Sequence, residues 1–325
     1  MLNVFVADRR GCLVKVDVAP DAPLPPEAVW IDLVAPTQEE ERRVETLLGI
    51  EVPTREEMQE IEVSSRLYEE NGALYMTATI VAKAETEHPE ASAVSFILAG
   101  DRLVTVRYAE PQPFALFSAR CQRAPAAYTR GDAVLVGLLD ALIDRMADVL
   151  ERIGLEVDEI SHQVFEHSNR PGGRRDFQDI LRRLGRRGEL TSQVRESLVG
   201  IGRLLMFFAQ ASATIKTAKE LRNRLRTMSQ DVRSLTDHVS FLSGKIDFLL
   251  DATLGMINIE QNAIIKIFSV VAVVFLPPTL IASIYGMNFA YMPELQWPLG
   301  YPMALLLMLA SAITPYLYFK RRGWL

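Results

Sequence analysis

Two runs of 19 residues, Ile267–Tyr285 and Tyr301–Phe319, contain no Lys, Arg, Asp or Glu, and this restricts the chain more than any other feature. As a helix each run reaches ~28 Å, the hydrocarbon thickness of a bilayer. Apart from Glu294 and the terminal Lys320, Arg321 and Arg322, every formal charge lies at or before Lys266. The overall composition, 49% hydrophobic and 23% charged, therefore averages a charged, water-soluble portion with a small apolar one. Core helices of a soluble domain pass the same length test, but the flanks argue for a membrane. Tyr285, Phe289, Tyr291, Trp297 and Tyr301 gather at one end of the expected hairpin, and Tyr316, Tyr318, Phe319 and Trp324 at the other. Such aromatic belts mark bilayer interfaces. The expected spans are 264–285 and 301–319, with an outer loop at 286–300.

The basic residues set the orientation. Lys266 precedes the first span and Lys320, Arg321 and Arg322 follow the second, whereas the loop has no Lys or Arg. Both termini are therefore expected on the cytoplasmic side. The opening "MLNVFVADRRGC" has too short an apolar run for a secretory signal. Cys12 and Cys121 make neither a disulfide framework nor a metal motif.

The soluble part divides in two. Residues 1–130 interleave β-branched runs, including "LNVFVA", "CLVKVDV", "VWIDL", "ALYMTATIVA", "AVSFIL" and "RLVTVRY", with helical stretches such as "TQEEERRVETLLG". In the last, Thr37 and Glu40 have the spacing of a capping box. This predicts a cytoplasmic α/β domain. From Asp132, taken as an N-cap, the period changes to 3.6, with Leu135, Leu138, Leu139, Leu142, Met146 and Leu150 on one stripe. A break at residues 168–176 then predicts an antiparallel helical hairpin. The expected domains are 1–130, 131–250 (helical, including the start of a stalk helix) and 251–325 (the membrane domain).

From Thr214 to Tyr285 the helical pattern continues with no proline before Pro277. One helix could run from the soluble part into the bilayer. Alternating steps of three and four back from Gly286 reach Ser283, Thr279, Leu276, Ala272, Ser269, Ile265, Asn262, Asn258, Gly255 and Asp251. Such a heptad stripe, small or polar at most positions, has two readings. Small and hydroxyl residues permit close helix packing in membranes. Asn258, Asn262 and Asp251 extend the stripe beyond the bilayer and favour the other reading, an aqueous path. One hairpin cannot enclose a path, so a conducting chain must be a homo-oligomer with its first span innermost. Ile265 and Leu276 are the bulky apolar stations on the stripe, with Phe268 beside it, and can either pack or gate by dewetting. Pro277 and Pro278 free the Val273 and Val274 carbonyls, giving either a kink or additional acceptors.

Tyr285-Gly286-Met287-Asn288, continued by "FAYMPELQWPLGYP" and closing on "YFKRRGWL", resembles the CorA magnesium channels, whose signature is Tyr-Gly-Met-Asn followed by Met-Pro-Glu-Leu. The match is specific over residues 245–325 and looser before them. The resemblance implies an α+β membrane protein of a bacterial cytoplasmic (inner) membrane. It implies a homopentameric funnel with a long helical stalk, and two C-terminal transmembrane helices. It places Gly286, Met287 and Asn288 as a selectivity filter, Thr279 and Ser283 in the pore, and Asp251 at the cytoplasmic end. Asn288 and Asp251 are then the metal-facing residues. Glu294 matches the acid of the loop motif. The cargo implied is Mg²⁺, with Co²⁺ and Ni²⁺ as further candidates. A sister branch carrying zinc usually departs from Met-Pro-Glu-Leu, so the intact motif favours magnesium. The resemblance also implies regulatory Mg²⁺ between subunits, for which Asp140, Asp144, Asp148, Glu151 and Glu156 are candidates.

The chemistry of the asparagine can be argued independently. Mg²⁺ sheds its six waters reluctantly, and a stripping site needs carboxylates, which neither span contains. An amide beside carbonyls freed at a helix end accepts hydrogen bonds from the water of a hydrated ion. Such binding is weak enough to release the ion.

Other features carry less. His162 and His167 lie five apart, which does not place both rings on one helix face. The basic run Arg170, Arg174, Arg175, Arg182, Arg183, Arg186 and Arg187 has no aromatic platform, and the chain is net −6, so nucleic acid is not expected. No phosphate-binding glycine loop or enzyme constellation appears, so transport is expected to run down the electrochemical gradient. The competing functions are a proton-coupled transporter of zinc or another transition metal, and a membrane-anchored sensor that does not conduct.

Overall fold

The computed structural model describes the chain except residues 20–21, 125, 166–175, 215–218, 289–291 and 325. It separates into two compact units, Met1–Leu250 and Asp251–Leu325.

The first unit is built on a seven-stranded sheet of order β2-β1-β3-β7-β6-β5-β4. The strands are β1 (Leu2–Ala7), β2 (Leu13–Val16), β3 (Ala28–Val34), β4 (Leu67–Glu70), β5 (Ala73–Ala82), β6 (Glu90–Ala99) and β7 (Arg102–Arg107). Only β3 and β7 run parallel; every other pairing is antiparallel. Six strands coincide with the β-branched runs of the sequence. The seventh, β4, is "LYEE", too short and polar to show a period of two; it forms because Tyr68 stacks on Tyr75 of β5, centroids 4.6 Å apart.

At the parallel seam a buried ion pair is fully hydrogen-bonded. Arg107 grips Asp32 with two bonds, Nε to Oδ1 at 3.0 Å and Nη2 to Oδ2 at 2.9 Å. Thr105 donates to the same carboxylate at 2.8 Å and Asn3 at 3.2 Å. The third guanidinium nitrogen reaches the Ala109 carbonyl. Burial of such a charge pair is tolerable only because each partner is satisfied in this way.

Helix α1 (Gln38–Leu48) starts in the capping box expected at Thr37 and Glu40, and ends at Gly49 in the left-handed region. Two single-turn helices, α2 (Arg55–Met58) and α3 (Val63–Arg66), and then α4 (Gln112–Cys121) complete the α/β part. Two long helices follow, α5 (Gly131–Phe165) and α6 (Phe177–Thr214). All six apolar residues of the predicted α5 stripe are buried. The helix starts one residue before the expected cap: Asp132 lies in the first turn, paired with Arg130. Gly131 is held there because a Cβ would come within 2.5 Å of the Arg102 carbonyl carbon at the start of β7. α6 runs over β5, where the Ser197 hydroxyl donates to the Thr79 carbonyl at 2.6 Å.

The described arginines of the basic run are each paired: Arg182 with Asp179, Arg183 with Glu159, Arg186 with Glu87 and Arg187 with Glu156. The last three tie α6 to its neighbours, Arg182 pairs within α6, and among the described residues the run leaves no free cationic stripe. Arg170, Arg174, Arg175, His167 and the predicted break lie largely outside the described residues.

Helix α7 is 67 residues long, Lys219–Tyr285, and passes through Pro277 and Pro278 without ending. In the first unit its buried positions include Leu225, Met228, Val232, Val239, Leu242, Ile246 and Leu249, steps of three and four with one step of seven, in which Leu235 is half-buried. The chain finishes with a 3₁₀ turn, Pro293–Gln296, and helix α8, Gly300–Arg321.

Candidate functional site

Helices α7 and α8 are the two that are long and apolar enough to cross a membrane among the described residues, and only 6% of the most apolar window of each is buried. A soluble core helix would show the reverse. Ile264, Phe268, Phe275, Leu280, Leu306 and Leu309 are among the large apolar side chains left uncovered.

Each helix nevertheless has one covered face. On α7 it comprises Val270, Val274, Pro277, Pro278, Ile281 and Tyr285; on α8, Ala304, Met308, Ser311, Ala312, Pro315 and Phe319. On α8 Gly300 and Met303 are covered as well, and both sets recur at steps of three and four, as expected where two helices pack along their length. At one end Lys266 Nζ lies 5.9 Å from the centroid of the Trp324 ring.

The polar stripe occupies another face. All ten positions, Asp251, Gly255, Asn258, Asn262, Ile265, Ser269, Ala272, Leu276, Thr279 and Ser283, are exposed in the single chain. At ~100° per residue, the membrane part of the stripe points ~180° away from the face covered within the hairpin. Close packing against α8 therefore does not account for its small and hydroxyl residues. The Thr279 hydroxyl donates to the Leu276 carbonyl at 2.9 Å, which leaves its oxygen free to accept. Phe268 is exposed, 71%, beside Ile265 and Leu276 at 60% and 66%.

Helix α7 ends at the tripeptide. The Gly286 amide still reaches the Ala282 carbonyl at 2.9 Å, but the Met287 amide turns to Ile284 at 3.3 Å instead of Ser283. Gly286 does not take the left-handed conformation common at helix ends. A Cβ there would sit 3.1 Å from the Ala282 oxygen. Met287 and Asn288 follow, both exposed. The loop is pinned at its far side by Gly300, where a Cβ would lie 2.2 Å from the Glu294 carbonyl oxygen. Glu294 itself is exposed in the 3₁₀ turn. Of the expected outer belt, Tyr285, Trp297 and Tyr301 are described, whereas Phe289 and Tyr291 lie outside the described residues.

The family model described as "CorA-like Mg2+ transporter protein" matches residues 26–321. The magnesium transport protein CorA of Escherichia coli is 37% identical over 325 residues, all of both chains. The chain belongs to the CorA family. Its fold is that of the complete CorA magnesium transporter from Methanocaldococcus jannaschii, at a TM-score of 0.75 and 19% identity over 100% of this chain and 99% of that one. The full-length CmaX protein matches at a TM-score of 0.68 and 15% identity, over 99% and 97%. CorA membership and the two uncovered apolar helices make this a membrane protein, and its α/β sheet unit, long helix and C-terminal helix pair are the fold class expected from the sequence.

The acids named as regulatory candidates do not form a single-chain metal site. Among the described residues no three His, Cys, Asp or Glu converge on one point. Three of them, Asp140, Asp144 and Asp148, form a repulsive group with Asp231. The Asp144 carboxyl is pushed above its ordinary range by partial burial, then by Asp140, Asp148 and Asp231, with Arg120 opposing. Asp231, on α7, was not among the sequence candidates, because its placement beside α5 is a tertiary fact.

Proposed function

We propose that the chain carries Mg²⁺ passively into the cell across a cytoplasmic (inner) membrane, with both termini cytoplasmic, as a homopentamer with α7 around the axis. The observation that carries this reading is the stripe of small and polar residues on the face of α7 opposite its own hairpin contact. A lipid-facing surface has no reason to keep Ser, Thr and Asn in register, which favours other copies of α7, or water, facing it. The relative named magnesium transport protein CorA gives the cargo.

In this reading Asp251, Asn258, Asn262, Ser269, Ala272, Thr279 and Ser283 line the path. Gly286, Met287 and Asn288 form its outer mouth. Ile265, Phe268 and Leu276 supply apolar constrictions that close by dewetting. The Asn288 amides, the carbonyls released where α7 ends, and the negative end of the helix dipole together favour a hydrated dication. An inside-negative potential contributes ~2.3 kcal/mol per charge per 100 mV, so no nucleotide is needed. Domain limits at 1–130, 131–250 and 251–325 fit this assignment. Regulatory Mg²⁺ is assigned to the Asp140, Asp144 and Asp148 face, completed by a neighbouring subunit. Co²⁺ and Ni²⁺, whose hydrated ions resemble that of Mg²⁺, are expected to share the path.

The test uses an inert hexaammine complex, which presents N–H donors where hydrated Mg²⁺ presents O–H and cannot lose its ligands. External complex should compete with Mg²⁺ influx into proteoliposomes. Undiminished influx at large excess, or influx that requires a proton gradient, would reject the hydrated-ion filter in favour of a proton-coupled zinc-type transporter. Absence of any influx would leave a membrane-anchored sensor.

A further inference from the structure

The end of α8 is folded back on itself in a way that the ion path does not require. Gly323 adopts φ +69°, in the left-handed region. The Trp324 amide then donates to the Phe319 carbonyl at 3.1 Å and the Gly323 amide to Lys320 at 3.2 Å. This is a Schellman turn, and its usual apolar contact is present: the Trp324 and Phe319 rings stack at 5.2 Å. The turn delivers Trp324 under Lys266 at the start of the other span, with Nζ 5.9 Å from the ring centroid. Arg322 lies 5.5 Å over the Tyr318 ring.

The turn satisfies the helix-end carbonyls with backbone donors, so the neighbouring cations are not used up in capping. Lys266, Lys320, Arg321 and Arg322 are all exposed. Among the described residues none of them lies within ion-pair distance of an acid. No acid occurs after Glu294, at the opposite end of α8, and the last one before Lys266 is Glu260. Four exposed cations, none of them in an ion pair among the described residues, thus surround an aromatic clasp. The ring edges mark headgroup depth, and the only abundant anion at that depth is a lipid phosphate.

We propose that this clasp is a binding site for anionic phospholipid headgroups, which bridge the first and second spans at Lys266 and the Lys320–Arg322 turn. The proposal rests on the membrane reading of α7 and α8 but not on the identity of the cargo. Phosphate alone lacks the acyl chains that would place it between the spans, so a free anion is expected to bind far more weakly.

The experiment is native mass spectrometry of the full-length protein released from nanodiscs of mixed phosphatidylglycerol and phosphatidylcholine, with inorganic phosphate added in a separate arm. Retention of phosphatidylglycerol over phosphatidylcholine is expected. Lys266→Gln should weaken retention about fivefold, the effect of one interfacial cation. Gly323→Ala keeps all four cations but strains the turn, and should also lower retention. Equal retention of the two lipids would overturn the proposal. So would a Gly323→Ala protein that retains lipid as the parent does, which would indicate diffuse charge attraction without a built site. Loss of retained lipid in millimolar phosphate would reassign the cluster to a free anion. Mg²⁺ influx measured on the same proteins reconstituted into proteoliposomes distinguishes failure of this proposal from failure of the transport reading.

Discussion

In the proposed pore, Asn288 is the member of the Gly286-Met287-Asn288 motif whose side chain can offer an oxygen to a hydrated ion, since Gly286 and Met287 contribute backbone alone. Asn288→Ala should therefore abolish Mg²⁺ influx while leaving assembly intact, because the exposed amide supports no packing. Dye-based uptake in vesicles, alongside size-exclusion chromatography, reads both; wild-type influx would sink the outer-sphere argument. At the opposite extreme of burial, Asp32 accepts bonds from Arg107, Thr105 and Asn3. Asp32→Ala leaves the Arg107 guanidinium buried and unpaired, and a loss of about 3–5 kcal/mol is expected. Pulse proteolysis in urea should report it as an early loss of the sheet unit.

At the scale of the element, α7 carries two different heptad seams. One, apolar, is buried in the sheet unit; the other runs exposed from Asp251 to Ser283. Cysteines placed at Ser269, Thr279 and Ser283 should react with a charged, water-borne thiol reagent. Cysteines at Val271 and Ile284, off the stripe and exposed, should face lipid and stay unmodified. The native thiols will not interfere, for both are buried and burial pushes the Cys121 thiol up to about 12. Uniform labelling around the helix would dispose of the pore-lining assignment.

For the whole molecule, the decisive quantity is charge brought together by folding. The folded state raises the Asp144 carboxyl above its ordinary value, chiefly by burial and then by Asp140, Asp148 and Asp231. A raised carboxylate is easier to protonate when folded, so its stabilising effect is present at low pH and lost as pH rises through the folded value. At neutral pH the group is a source of repulsion that a dication relieves. Millimolar Mg²⁺ should therefore slow proteolysis of the assembled protein near pH 7. The protection should shrink on acidification, as the raised Asp144 carboxyl takes up its proton. Identical digestion with and without Mg²⁺ at neutral pH would remove the regulatory assignment.

The sequence alone determined the parts of this protein governed by one-dimensional rules. Charge-free length set the two spans, β-branched runs set six strands, the Thr37–Glu40 pair set a cap, and three-four spacing set both the α5 core stripe and the α7 polar stripe. It also showed the Gly286-Met287-Asn288 motif, since a helix end followed by a loop is a local event. Other features needed the third dimension, because they depend on which distant segments meet. Strand β4 exists through Tyr75, the α5 start is fixed by Gly131 against β7, and the arginine run is neutralised by acids on other elements. Asp231 joins Asp144 only through packing of α7 beside α5. The direction of the polar stripe was likewise invisible in sequence: periodicity gives a face but no bearing. Only the covered surfaces of α7 and α8 show that this face turns away from its own hairpin.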